Sequence, residues 1–206
     1  MKEHELNSKI YPLLLAAALL PAAAATAKPL SYDYIEGQLI SSDIEDEDGT
    51  GLGIGGSFLL QPSLFLTGSY ETVGYDSADF DVMMVGIGGR TPLSLQSPVK
   101  LDLYGSFGLE NLTIDFDNRF IDDYDDSGFG LRGGLRAALT PQLELVGELR
   151  FVDYGDIEGQ FLRVGIALDL ANNLALTADY ITGEYDFDGS NGDRDDLRVG
   201  IRFNFR

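Results

Sequence analysis

The 206-residue chain has no Cys, no Trp and a single His, at position 4. Without Cys there is no disulfide, no thiolate zinc site and no thiol nucleophile. One His at the extreme N-terminus leaves the rest of the chain without an imidazole for acid–base or metal chemistry. Positive charge is also scarce: 14 Lys and Arg face 34 Asp and Glu, a formal charge of −20. Phosphate neutralisation needs clustered Lys and Arg, so nucleic acid is excluded as a partner. No segment carries a convincing helical period, and no apolar run reaches the ~20 residues of a membrane-spanning helix. What remains is 25 Gly and 44% hydrophobic content in one domain's length, a composition suited to a strand-rich protein.

Lys2 and Lys9 precede an apolar run from Ile10 to Leu20, and small residues follow from Pro21 to Ala27. This is the order of a secretory signal peptide. Ala25 and Ala27 satisfy the small-x-small rule, which predicts cleavage after Ala27. Residues 1–27 are therefore read as a signal peptide and 28–206 as the exported domain. The exported part then lacks His altogether.

Period-two alternation recurs through the rest, the pattern of half-buried strands. The last run is clearest: Leu197, Val199, Ile201, Phe203 and Phe205 alternate with Arg198, Gly200, Arg202 and Asn204. Ten strands are predicted, over 31–42, 51–60, 64–75, 80–91, 98–115, 128–139, 143–154, 159–170, 174–186 and 195–205. Eight is the alternative if a weak hairpin such as 51–75 is misread. Four connections are short or marked by Pro. The other five, at 43–50, 76–79, 116–127, 155–158 and 187–194, are acidic and read as loops. Short turns at one end, polar loops at the other and an even strand number predict an all-β fold: a single closed antiparallel transmembrane β-barrel. Closure satisfies every backbone group in hydrocarbon, which an open sheet cannot do.

The polar face of the strands decides between a soluble and a membrane barrel. It carries the cations Arg90, Lys100, Arg132, Arg136, Arg150, Arg163, Arg198 and Arg202. It also carries the anions Glu36, Glu71, Asp102, Glu110, Glu144, Glu148, Asp169 and Asp179. A solvated face of so acidic a chain needs no such balance. A closed lumen does, because a shielded charge without a partner is costly. Gly alternates with these residues, making room for long side chains from neighbouring strands. The sixteen charges are expected to pair inside the lumen and, with Phe65 and Tyr104, to fill it. The apolar face then meets lipid. With Trp absent, 10 Tyr and 12 Phe must supply the interfacial girdles.

Other motifs carry less. Gly51-x-Gly53-x-x-Gly56 matches a dinucleotide fingerprint, but no βαβ unit surrounds it. Asp123-x-Asp125-x-Ser127 resembles the start of a calcium loop, with Gly134 where a bidentate Glu belongs, so no more than weak Ca²⁺ or Mg²⁺ binding is expected there. No other cofactor is implied. Asn111-Leu112-Thr113 is a glycosylation sequon, irrelevant if the source is bacterial.

The layout resembles the small bacterial outer-membrane barrels typified by the outer-membrane protein A, outer-membrane protein X and opacity families. That resemblance implies the outer membrane as location, lipid, lipopolysaccharide and the outer-membrane assembly machinery as partners, and a monomer. The terminal aromatics Phe203 and Phe205 are similar to the assembly signal of such proteins, although Arg206 follows. Leu30-Ser31-Tyr32-Asp33-Tyr34-Ile35-Glu36-Gly37 is similar to the opening of the sulfation-dependent quorum factor family of outer-membrane barrels. By that resemblance Tyr32 is the position put forward to carry a sulfate, and a link to quorum or virulence signalling is implied. Enzymes built on such barrels rely on a catalytic His, so a non-enzymatic role is expected. That role is structural or surface-interactive, with a narrow channel or a conduit for small or hydrophobic solutes as the alternative.

Overall fold

A computed structural model describes residues 27–45, 47–94, 98–116, 123–187 and 190–205. The segment read as a signal peptide lies, except for Ala27, outside the described residues.

The ten strands are β1 (Tyr34–Ile44), β2 (Glu47–Gln61), β3 (Leu64–Gly74), β4 (Ala78–Leu93), β5 (Lys100–Phe116), β6 (Tyr124–Ala138), β7 (Leu143–Asp153), β8 (Ile157–Ala171), β9 (Leu174–Phe187) and β10 (Ser190–Asn204). Each pairs antiparallel with its sequence neighbour, and β1 pairs with β10 to close the barrel. Closure runs from Tyr34 opposite Asn204 to Ile44 opposite Arg194. Irregularities at Leu59/Gln61 and Asp169/Ala171 kink the sheet beside two of the short turns.

Side chains alternate across the wall. Leu39, Leu52, Val85, Leu109, Leu131 and Ile201 are exposed on the outside, while Glu36, Asp102, Glu110, Arg136, Asp179, Arg198 and Arg202 are buried within. This inverts the soluble pattern and matches hydrocarbon outside and a polar, shielded lumen inside. Glycine provides the lumen's clearance at two positions in particular. A Cβ on Gly130 collides with the Glu110 carboxylate, and one on Gly165 with that of Asp179.

Two expectations change. The acidic segments are mostly strand: β1 and β2 run to within two residues of each other, with Glu45 turning at φ 51°, and β6 begins at Tyr124. Residues 31–33 are not strand. They leave the wall and enter the lumen.

Candidate functional site

The inward side chains form a chain of ion pairs along the barrel axis. At the short-turn end Arg90 meets Asp102 at 2.9 Å. Arg136 binds Glu144 at 2.7 Å, Arg202 reaches the same carboxylate at 3.6 Å, and Arg202 binds Glu36 at 2.6 Å. Gln38 then donates to both Glu36, at 2.5 Å, and Asp179, at 3.0 Å, and Arg163 binds Asp179 at 2.9 Å. Further along, Glu110 accepts from Arg150, from Arg132 at 3.5 Å and from the Tyr154 hydroxyl at 2.8 Å. Arg198 makes a two-pronged contact with Glu71 at 2.6 and 2.9 Å. It also touches Asp196, which Arg194 binds at 2.8 Å. Burial in this narrow lumen is tolerable because each charge has a partner and most carboxylates have a further hydrogen bond.

The short-turn end is sealed by the N-terminal segment. Tyr32, 2% exposed, packs on Phe65 with ring centroids 5.1 Å apart and edge-on to Tyr104 at 6.4 Å. The guanidinium carbons of Arg136 and Arg90 lie 4.4 and 4.8 Å from its ring centre, within cation–π range. Main-chain bonds fix the segment. Arg136 donates to the Ser31 carbonyl at 2.8 Å, the Leu59 amide to the Asp33 carboxylate at 2.8 Å, and the Phe205 amide to the Asp33 carbonyl at 2.9 Å. Lys28 pairs with Asp169.

The acidic end is sealed differently. Ala78, Val82, Leu112, Ile114, Val152, Tyr154, Ile157 and Phe161 form an apolar cluster inside the barrel, with Phe80, Phe116, Tyr124, Ile181 and Tyr185 packed against it. Outward residues at this end of the barrel include Asp81, Asp115, Asp125, Asp153, Glu158, Asp193 and Asp195. The strand ends thus form a collar with the polarity of a soluble protein. Burial pushes the hydroxyls of Tyr154 and Tyr75, in two turns of this collar, above the usual tyrosine range. Between the seals, the lumen holds cavities of about 90 and 60 Å³.

Apolar outside, paired charge inside and a closed ten-strand wall define an outer-membrane barrel. The family model for the outer membrane protein beta-barrel domain matches residues 13–169. The chain belongs to that family. It shares its location, the bacterial outer membrane. No curated protein matches the chain. Among solved structures, Neisserial surface protein A from Neisseria is 16% identical over 84% of this chain and 96% of that one, with a TM-score of 0.47. The attachment invasion locus protein of Yersinia pestis is 13% identical over 84% and 100%, with a TM-score of 0.45. The barrel domain of Pseudomonas aeruginosa OprF is 12% identical over 84% and 100%, with a TM-score of 0.37.

In this outer-membrane barrel, thirteen of the sixteen charges singled out from sequence contact an opposite charge among those sixteen: Glu36, Glu71, Arg90, Asp102, Glu110, Arg132, Arg136, Glu144, Arg150, Arg163, Asp179, Arg198 and Arg202. Three depart from the expectation. Asp169 pairs with Lys28, a residue of the N-terminal segment. Lys100 is exposed at the short-turn end, beyond the shielded lumen. Glu148 is buried and accepts from the Tyr104 hydroxyl at 2.7 Å. Arg194 was missed because it falls in the 187–194 stretch read as a loop, and Asp196, within the predicted 195–205 strand, was not counted among the inward charges; both face inward and are buried. Their alternation with Arg198 was the available signal.

The calcium-loop motif runs into the start of β6. Residues 124–127 are extended strand, so Asp125 and Ser127 share the outer face but sit ~6.6 Å apart along it instead of wrapping around one ion. Asp123 accepts from the Phe116 amide, while Asp125 and Ser127 are engaged by Asn111. Among the described residues no group of three or more carboxylates is placed to hold a metal ion. Phe203 and Phe205 meet edge to face, ring centroids 5.5 Å apart, on the outer face.

Proposed function

We propose that this protein is a non-conducting outer-membrane barrel that acts through its acidic collar at the cell surface, in a structural or surface-binding role. The observation that carries this reading is the double seal, between whose ends the lumen, among the described residues, holds small cavities of about 90 and 60 Å³. The collar faces outward from the cell, and the short turns and both termini face the periplasm. The outward collar residues among those described include no Lys or Arg, which favours cationic or cation-bridged partners such as lipopolysaccharide. Attraction of Ca²⁺ or Mg²⁺ to it is diffuse and weak. Residues 1–27 act as a cleaved signal peptide, Phe203 and Phe205 serve assembly, and the barrel is a monomer without catalytic activity.

The resemblance of the opening octapeptide supports a link to quorum or virulence signalling. Tyr32 is enclosed in the folded barrel, so any modifying group has to be attached before folding. The test of the main reading is conductance of the refolded protein in a planar bilayer. A silent bilayer at protein levels that give complete insertion is expected. Discrete conductance steps would establish the channel instead. For orientation, an epitope tag at Asp125 should label on intact cells, and one at Gln142 should not.

A further inference from the structure

We infer that the smaller lumen cavity is a binding site for a small inorganic anion of the halide class. The cavity has a volume of about 60 Å³ and lies behind the N-terminal segment. Three buried polar atoms without a hydrogen-bond partner belong to residues that line it: the Tyr32 hydroxyl, the Ser57 hydroxyl and Arg132 Nε. Tyr32 is 2% exposed and Ser57 8% exposed, so bulk water does not reach them. Buried polar groups in folded proteins are almost always satisfied, and three failures around one void call for an occupant.

Charge selects the kind of occupant. Arg132, Arg136, Arg163 and Arg202 all line the cavity, and Glu148 is the one carboxylate that does. Oε2 of Glu148 already accepts from Tyr104. The carboxylates that pair with the four arginines, namely Glu110, Glu144, Asp179 and Glu36, do not line it. The Arg132–Glu110 contact is loose at 3.5 Å. The void is therefore surrounded by an excess of positive charge and by unused donors. An Arg Nε–H can only donate. A water that accepts here has also to place its own two protons, whereas a halide only accepts. One water needs roughly 10–15 Å³ of such volume, so the space fits a halide with two or three waters.

The bound anion would link three elements, the N-terminal segment through Tyr32, β2 through Ser57 and β6 through Arg132, and so hold the seal in place. The test compares urea midpoints of the full barrel refolded in micelles with sodium chloride or sodium gluconate at equal ionic strength. Wild type is expected to unfold at a higher urea concentration in chloride, with a saturable dependence. Ser57→Ala and Tyr32→Phe each remove one donor with little change of volume. Each should reduce the chloride-specific increment by half or more, and the double variant should lose it. Crystals grown in bromide should show an anomalous peak within the cavity of wild type. If the double variant does not fold, Ser57→Ala and the bromide peak decide. An increment of the same size in Ser57→Ala as in wild type, or a cavity holding water alone in bromide, overturns the inference.

Discussion

Between Leu103 and Leu109, strand β5 turns apolar side chains outward and Asp102 and Glu110 inward; between Asn111 and Asp115 the same strand turns Asn111, Thr113 and Asp115 outward and Leu112 and Ile114 inward. Strand β8 does likewise, with Leu162 and Val164 outside in one stretch and Glu158 and Gln160 outside in the other. The backbone ladder does not change across the boundary; the medium outside it does. Against hydrocarbon the outer face must be apolar, and the lumen carries charges that pair. Against water the outer face carries carboxylates, and the inside becomes a conventional apolar core. The level at which polarity inverts marks the membrane surface on the chain.

The comparison predicts different ways of breaking each region. In the belt, Arg198→Ala strands Glu71 in the lumen, while Asp196 keeps Arg194, and should cost ~3–5 kcal/mol, read as a lower urea midpoint of the refolded barrel. Arg194→Ala should cost nearly as much, because Arg194 is buried against Asp196. In the collar the corresponding damage is a cavity: Leu112→Ala should cost ~2–5 kcal/mol without any charge effect. On the outer face of β6, Leu131→Arg puts a cation in hydrocarbon and should cost ~2–4 kcal/mol, while Asp125→Arg on the same face of the collar should change stability by less than ~0.5 kcal/mol. The smallest effect is alkaline. The Tyr154 hydroxyl titrates higher in the folded protein than in the unfolded chain, so its contribution is complete below about pH 10 and fades as pH rises through the folded value. Wild type should therefore lose stability above pH 10 more steeply than Tyr154→Phe.

Strand number and the sense of the lumen were legible in the sequence because Leu, Val, Ile and Phe alternate with Arg, Glu and Gly over whole strands, as in β10. The collar was not, because its outward residues are Asp and its inward ones include Gly and Asp, a composition shared by turns and by strands that stand in water. Asp79 and Asp81 around Phe80 show the ambiguity. The seal at the short-turn end was hidden for another reason. Leu30, Tyr32 and Tyr34 keep the period of a strand, and it is tertiary contacts, among them the bonds of Ser31 and Asp33 to Arg136 and Leu59 and the packing of Tyr32 on Phe65, that draw the segment inward.

The inversion of polarity can be located directly, because the chain has no Cys and single cysteines can be introduced without background. In bilayer-reconstituted protein, outward cysteines at Leu103, Phe107, Leu109, Thr113 and Asp115 would be treated with a membrane-impermeant maleimide. Rapid labelling at positions 113 and 115 with protection at 103 and 107, and a change of rate near 109, is the predicted result. Equal labelling at Phe107 and Asp115 would contradict it.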